Sequence, residues 1–296
     1  MTDLGAILTA IVTPFDAAGR VNEESFVALM RHLAQNGSDG FVVAGTTGEA
    51  ATLSEDEQLG LIGLAVSERP AGTTILGGTG TNDTRQAVKL TERATELGVD
   101  AVLVVTPYYN RPSRLGLLRH YEAVAAATDK PVVLYNIPAR TGTNMPPDLL
   151  ADLAERNANI VAVKQANPDE LTPIDGLQIY AGDDFTFLPT LEMGGAGVIS
   201  VASHIVGPQM RRMLDEPARR PELDASLRDV YETLFLTSNP TCVKAALNLH
   251  GHDVGGLRLP LVEATASERE QIRAMLERQG LLAGADAAAA AARASA

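Results

Sequence analysis

Cysteine and aromatic residues are scarce in this chain of 296 residues. Cys242 is the only cysteine, so no disulfide can form within the chain. Tryptophan is absent, and the aromatic residues together make up 4% of the sequence. A tyrosine at the end of a predicted strand is therefore a candidate for chemistry.

Basic residues are outnumbered by acidic ones. The chain has 24 lysines and arginines against 37 aspartates and glutamates, a formal net charge of -13. Sequence-independent binding to nucleic acid needs a basic surface that displaces counterions, so this function class is excluded. A small anionic substrate remains compatible, because one local arginine can hold it inside an acidic protein.

Long apolar runs are also missing. Runs such as residues 101–105 are too short to cross a bilayer. The first residues lack the basic segment and apolar core of a secretory signal, so we expect a cytoplasmic protein with no membrane partner. The run Gly77-Gly78-Thr79-Gly80 matches no phosphate-binding fingerprint, so we do not expect a nucleotide.

What is present is a regular alternation of short apolar runs and helical patterns. Helix starts are indicated by Asn22, by Asp83, by Pro147 and by the capping box Ser54-x-x-Glu57. About eight runs are typical of buried strands, at residues 6–12, 40–45, 73–76, 101–105, 131–135, 160–163, 178–181 and 197–201. This count and order predict a (β/α)8 TIM barrel with parallel strands.

The region after the barrel has a different character. We predict the barrel and active site over residues 1–224 and a C-terminal helical appendage over residues 225–284. A second capping box, Ser267-x-x-Glu270, is expected to open a helix in that appendage. The alanine-rich tail, residues 285–296, has low complexity and is expected to be disordered.

Lys164 directly follows the apolar run at residues 160–163. Partial burial there penalises the ammonium form and lowers its pKa, which leaves a neutral amine able to attack a ketone. The structural alternative is a lysine whose stem covers the strand while its ammonium reaches water.

Other polar and aromatic residues are expected at the same carboxyl ends of the strands, where barrel enzymes carry their catalytic groups. Arg140 can grip a carboxylate, and Thr46 and Thr47 lie in a glycine-flanked turn that can hold a second one. Tyr109 and Tyr135 can move protons through their phenols. The same set includes Ile199, and Asp183 and Asp184, which we interpret as helix caps.

One histidine pair raises the question of a metal. His250-Gly251-His252 can ligate zinc, but no third or fourth ligand stands at useful spacing in the sequence. The sequence therefore predicts no metal site.

Several motifs occur together in one order along nearly the whole chain, from about Gly5 to Pro260. They are Gly45-Thr46-Thr47-Gly48-Glu49, Pro107-Tyr108-Tyr109-Asn110, Tyr135-Asn136-Ile137-Pro138-Ala139-Arg140-Thr141-Gly142, Val163-Lys164, Gly182-Asp183-Asp184, Gly197-Val198-Ile199-Ser200-Val201, and Asn239-Pro240 with Val243-Lys244. In these motifs the chain resembles the dihydrodipicolinate synthase / N-acetylneuraminate lyase family of Schiff-base aldolases. Thr46-Thr47 and Arg140 match its dihydrodipicolinate synthase branch, while Gln165 and His204 depart from the usual glutamate and asparagine.

The resemblance implies a mechanism in which Lys164 forms an imine with pyruvate. Thr46 and Thr47 then hold the pyruvate carboxylate beside the Ile199 carbonyl, and Arg140 holds aspartate semialdehyde. The implied proton relay comprises Thr47, Tyr109 and Tyr135, with Tyr109 lent by a neighbouring subunit of a homotetramer built as a dimer of dimers. The product would be 4-hydroxy-tetrahydrodipicolinate, on the route to diaminopimelate and lysine, with no metal or organic cofactor needed.

The resemblance also concerns inhibition by lysine, which many relatives bind between subunits. Asn82 and Tyr108 are retained, but Gln86 stands where lysine-sensitive relatives carry a glutamate. Glu55 and Gln58 occupy positions where lysine-sensitive relatives tend to carry histidines. We expect lysine to inhibit weakly or not at all.

Two other functions remain open at this point. An aldolase of the same family acting on a sugar acid, of the neuraminate or ketodeoxygluconate lyase type, would share the lysine. A catalytically inactive barrel that serves as a binding scaffold would not need it.

Overall fold

The computed structural model describes residues 3–282 and has a closed barrel at its centre. Every neighbouring pair of strands is parallel, and β1 pairs with β8 to complete the ring. The strands are β1 (Ile7–Ala10), β2 (Gly40–Val43), β3 (Thr74–Gly78), β4 (Ala101–Val105), β5 (Val132–Asn136), β6 (Ile160–Gln165), β7 (Gln178–Ala181) and β8 (Gly197–Ser200). The predicted TIM barrel is confirmed.

Burial on both faces explains why the strands read as continuous apolar runs. Side chains that point inward, such as Leu8 and Val133, form one core inside the ring. Their neighbours in sequence, such as Ile7 and Val132, belong to a larger core between the strands and the helices. The two cores fix which residues face the interior at each strand end.

Helices follow the strands and form the outer layer. Within residues 3–282 they are α1 (Glu23–Gln35), α2 (Glu55–Ser67), α3 (Thr84–Glu96), α4 (Arg114–Ala126), α5 (Pro138–Thr141), α6 (Pro147–Arg156), α7 (Phe187–Glu192), α8 (Ser203–Asp215), α9 (Arg220–Leu234), α10 (Thr241–His250) and α11 (Ala266–Arg278). The predicted caps at Asn22 and Asp83 and the Ser54–Glu57 capping box are present. No helix in this described part is long and apolar enough to cross a membrane.

The predicted capping box at Ser267 and Glu270 is wrong. Thr265, with extended backbone angles, accepts the N–H of Glu268, and the Glu268 carboxylate accepts from Thr265 in return. Ser267 lies inside α11, where its backbone is helical and cannot act as a cap. Both positions carry the same S/T-x-x-E pattern, so the pattern alone does not select between them.

The C-terminal helices pack on the barrel and on one another. Helix α9 passes through residue 224, and α10 and α11 follow it. Buried side chains of all three, including Leu227, Val243 and Ile272, join the larger core. The expected disorder of residues 285–296 concerns a segment outside the described residues.

Candidate active site

Lys164 and Tyr135 face each other near the carboxyl ends of β6 and β5. The two residues are direct partners in the strand register. The Lys164 Nζ atom lies 4.4 Å from the centroid of the Tyr135 ring, and both side chains are buried. Because the register fixes both Cα atoms and the core fixes the inward direction, this pair is set by the barrel itself.

The Lys164 amine is shifted towards its neutral form. Burial lowers its pKa to about 8, while the carboxylates of Asp184 and Asp183 oppose this and the Arg140 guanidinium adds to it. A pKa near working pH leaves a substantial neutral fraction and still allows a positive charge after reaction. Lys164 is therefore suited to nucleophilic attack on a carbonyl.

The Tyr135 phenol stays protonated. Burial raises its pKa to about 12, and the Arg140 charge and the Thr46 hydroxyl oppose the rise. A neutral phenol beside an amine can donate a proton and take it back.

Thr46 and Thr47 lie in the loop after β2. The Thr47 side chain is buried and its Oγ1 accepts a hydrogen bond of 2.8 Å from Asn239 Nδ2, whereas Thr46 is exposed. Since Asn239 occupies the acceptor side of Thr47, the Thr47 hydroxyl hydrogen is directed elsewhere. Asn239 lies between α9 and α10 and belongs to one of the motifs quoted above, but the sequence assigned it no role in the site.

A buried ion pair lies next to this loop. Glu49 has a left-handed backbone with φ 56°, and its carboxylate is 2.9 Å from Lys244 Nζ. Lys244 also donates to the Thr13 carbonyl at 2.9 Å, and the Arg258 N–H donates to the other Glu49 oxygen at 3.1 Å. Both charged side chains are almost completely buried. These bonds hold Glu49 in a conformation that is sparsely populated for residues other than glycine. They therefore fix the end of the loop that carries Thr46 and Thr47, which we call the threonine loop.

Arg140 and Ile199 complete the predicted substrate-binding set. Arg140 is exposed on the short helix α5, directly after β5, and its charge acts on both Lys164 and Tyr135. Ile199 is buried in β8 and contributes to the inner core that also contains Tyr135.

Asp183 and Asp184 have different roles. Asp183 accepts the N–H of Phe185, as expected of a cap. The cap interpretation of Asp184 is wrong for its own helix: its side chain is buried and bridges to the end of β8. One oxygen accepts from the Ser200 hydroxyl at 2.5 Å, and the other accepts the N–H groups of Val201 and Ala202. Burial raises the pKa of Asp184 to about 6 against these hydrogen bonds, and its carboxylate in turn raises the pKa of Lys164.

Tyr109 is not brought to Lys164 within the single chain. Its side chain is 90% exposed, and its backbone has a left-handed φ of 75°. The Tyr109 N–H donates to the Thr141 carbonyl at 3.3 Å, which ties its loop to the helix that carries Arg140.

Two of the predicted regulatory residues, Asn82 and Tyr108, are in contact next to Tyr109. Asn82 donates through Nδ2 to the Tyr108 carbonyl at 3.1 Å, and the Tyr108 side chain is partly exposed. Gln86 is exposed on the first turn of α3. Glu55, from α2, forms a 2.7 Å ion pair with Lys89.

The fold and this site define the class of the protein: a (β/α)8 barrel built around a buried, partly neutral lysine, as in enzymes that act through a Schiff base. The chain belongs to the dihydrodipicolinate synthetase family, whose model matches residues 3–279.

Individual relatives and solved structures agree with this assignment. A 4-hydroxy-tetrahydrodipicolinate synthase from Desulforudis audaxviator is 46% identical over 292 residues, which cover 95% of this chain and 99% of that protein. The crystal structure of the Cyanidioschyzon merolae enzyme with lysine bound is 41% identical, with a TM-score of 0.91 over 95% of this chain and 100% of that one. A monomeric dihydrodipicolinate synthase variant is 38% identical, with a TM-score of 0.91 over 94% and 98% of the two chains.

Proposed function

We propose that this chain is a lyase that condenses pyruvate with L-aspartate 4-semialdehyde to 4-hydroxy-tetrahydrodipicolinate, the first committed step of diaminopimelate and lysine biosynthesis. The names of its relatives support this activity. The structural observation that carries it is the buried Lys164, with a pKa lowered to about 8, placed 4.4 Å from the Tyr135 ring.

The first half of the reaction forms the nucleophile. The neutral Lys164 amine attacks the ketone carbon of pyruvate, and the former carbonyl oxygen leaves as water after proton transfer through Tyr135. The protonated imine withdraws electrons from the neighbouring methyl carbon. This carbon then loses a proton to the relay of Thr47, Tyr109 and Tyr135 and gives an enamine. Thr46 and Thr47 hold the pyruvate carboxylate at the rim, next to the carbonyl of Ile199.

The second half forms the carbon–carbon bond. The enamine carbon attacks the aldehyde carbon of aspartate semialdehyde, whose carboxylate is held by Arg140. The new alkoxide takes a proton from the relay of Thr47, Tyr109 and Tyr135. The substrate amine then attacks the imine carbon, closes the ring and displaces Lys164. The imine itself is the electron sink, so this sequence requires no metal or organic cofactor.

Trapping the imine tests the reaction directly. Incubation with pyruvate and borohydride should add one reduced pyruvate to Lys164, detected by intact mass and peptide mapping, and Lys164→Ala should remove the adduct. A wild-type protein that gains no adduct would be a scaffold and not an enzyme. Arginine in place of Lys164 should also fail, because it stays protonated.

Arg140 separates the proposed substrate from a sugar acid. Parallel assays with pyruvate plus aspartate semialdehyde and with pyruvate plus a sugar aldehyde should give turnover only in the first. Arg140→Ala should raise KM for aspartate semialdehyde while pyruvate trapping persists. The reverse substrate preference would assign the chain to the sugar-acid aldolases.

We also propose that the working form is a homotetramer built from dimers that exchange Tyr109. The 90% exposure of this tyrosine and the nearby exposed Leu115 support a partner surface. Mixing Lys164→Ala chains with Tyr109→Ala chains tests it, because each hybrid dimer regains one intact site. Recovery of about a quarter of wild-type activity is expected for random pairing. If both single variants are inactive and their mixture is inactive too, Tyr109 does not act in the active site of a neighbouring chain.

A further inference from the structure

Three histidines from distant parts of the chain come together on the outside of the barrel. His32 lies in the last turn of α1, His250 is the last residue of α10, and His252 follows two residues later. One ring nitrogen from each lies within 4.8 Å of the others. The sequence offered only the pair His250 and His252, because His32 is far away along the chain.

The three rings enclose a small common space. Their centroids are 4.3 Å apart for His32 and His252, 5.3 Å for His250 and His252, and 6.2 Å for His32 and His250. The Nδ1 atom of His250 is buried and has no hydrogen-bond partner in the described chain. A buried polar nitrogen without a partner costs free energy, which a bound metal ion or water would recover.

The backbone holds the ligands in place on both sides. Gly251 takes a left-handed φ of 102°, and the His252 N–H then donates to the Leu247 carbonyl, which folds His252 back beside His250. On α1, Asn36 donates to the His32 carbonyl at 2.8 Å. The Asn36 Nδ2 atom also lies 3.4 Å from His32 Nδ1, which is too long for a hydrogen bond that would fix the orientation of the His32 ring.

The remaining adjustment is small. Zinc binds imidazole nitrogens at about 2.0–2.1 Å, so a tetrahedral site needs nitrogens about 3.4 Å apart. All three histidines are only partly buried, so rotation about their side-chain bonds can close the gap. Their solvent exposure leaves the fourth position for water.

We propose that His32, His250 and His252 form a Zn²⁺ site that joins α1 to α10. Neutral imidazole is a good ligand for this ion, and three such ligands with one open position are a known zinc coordination. Since α1 belongs to the outer layer and Lys164 points into the barrel, the site stabilises the fold and takes no part in the reaction.

The experiment uses the full chain without a histidine tag, stripped with EDTA and titrated with zinc chloride at pH 8. Calorimetry should show one saturable Zn²⁺ site per chain, and Zn²⁺ should raise the Tm. Cobalt chloride should give the visible absorption of a tetrahedral site. His32→Gln, His250→Gln and His252→Gln should each weaken binding on the order of a hundredfold and abolish the Tm shift.

Arg31→Gln is the matched control, because Arg31 precedes His32 on the same helix and is exposed. It should bind Zn²⁺ as the wild type does. Absence of saturable binding in the wild type, or unchanged affinity in His32→Gln, would overturn the site. Loss of pyruvate trapping on removal of Zn²⁺ at a temperature where the stripped protein stays folded would overturn its structural role.

Discussion

Lys164 sits between opposing influences on its charge. Burial favours the neutral amine, and Asp184 favours the ammonium, with the balance at a pKa of about 8. Because only the neutral amine attacks, imine formation should rise with pH and level off above about 8. The same balance lets the protonated imine form beside a carboxylate.

Asp184→Asn tests that balance. Removing the carboxylate removes an effect that raises the Lys164 pKa, so the acid limb of pyruvate trapping should move to lower pH. The measurement is the rate of borohydride-trapped adduct from pH 6 to pH 9 at saturating pyruvate. Asp169→Asn, on an exposed residue, should leave the midpoint unchanged. A midpoint that stays in place in Asp184→Asn would mean that Asp184 serves the fold alone.

Tyr135→Phe tests the proton relay. The ring still fills the barrel, so the variant should fold, but turnover should fall on the order of a hundredfold or more without the hydroxyl. Tyr180→Phe is a close control, because Tyr180 pairs with Lys164 from the other side but its hydroxyl donates to the Gly5 carbonyl. Comparable loss in both variants would remove Tyr135 from the chemistry.

At the scale of elements, the C-terminal helices support the threonine loop. Asn239 precedes α10 and binds Thr47, and Lys244 on α10 pairs with Glu49 at the end of that loop. Changes in α10 should therefore reach pyruvate binding as well as stability.

Lys244→Met isolates this support. It leaves the Glu49 carboxylate buried without its partner, which destabilises a fold by about 3–5 kcal/mol. We expect a lower urea midpoint and a higher KM for pyruvate. The double variant Glu49→Gln with Lys244→Met should recover part of the stability.

Lys89→Met is the control. It breaks an ion pair whose lysine is 57% exposed, and should change the free energy of unfolding by about 0.5 kcal/mol or less. Equal effects of Lys244→Met and Lys89→Met would contradict the supporting role.

At the scale of the whole molecule, we expect any inhibition by lysine to act through the surface that carries Asn82, Gln86 and Tyr108. Gln86 cannot offer a charged partner to the ammonium group of lysine. A charge-assisted hydrogen bond is worth about 1.5–3 kcal/mol, or roughly ten- to a hundredfold in affinity. We expect Glu55, which is paired with Lys89 at 2.7 Å, to compensate for part of this loss at most.

Initial rates against L-lysine should therefore show no half-inhibition well below a millimolar concentration. Gln86→Glu should lower the half-inhibitory concentration roughly tenfold or more, with Gln271→Glu, on the exposed face of α11, as a control. Strong inhibition of the wild type would show that other groups supply the missing contact.

The sequence predicted the features that depend on short range and periodicity. Apolar runs identified the strands, and Asn22 and Ser54 identified helix starts. The position of Lys164 directly after the apolar run at residues 160–163 placed it near the carboxyl end of β6. It could not predict pairings across the chain. The sequence indicates a helix cap at Asp184. It cannot indicate the hydrogen bond from Ser200, because this bond forms only once β7 and β8 are adjacent. His32 was missed as a neighbour of His252 because helix packing, not spacing, brings them together.

The exchange of Tyr109 between chains that we propose predicts how activity changes on dilution. A site that borrows this phenol is complete only while two chains are in contact. Activity per milligram should then fall once the chain concentration drops below the dissociation constant of the dimer. In that range the rate should become proportional to the square of the chain concentration. A cell that makes little of this protein would lose flux faster than it loses protein.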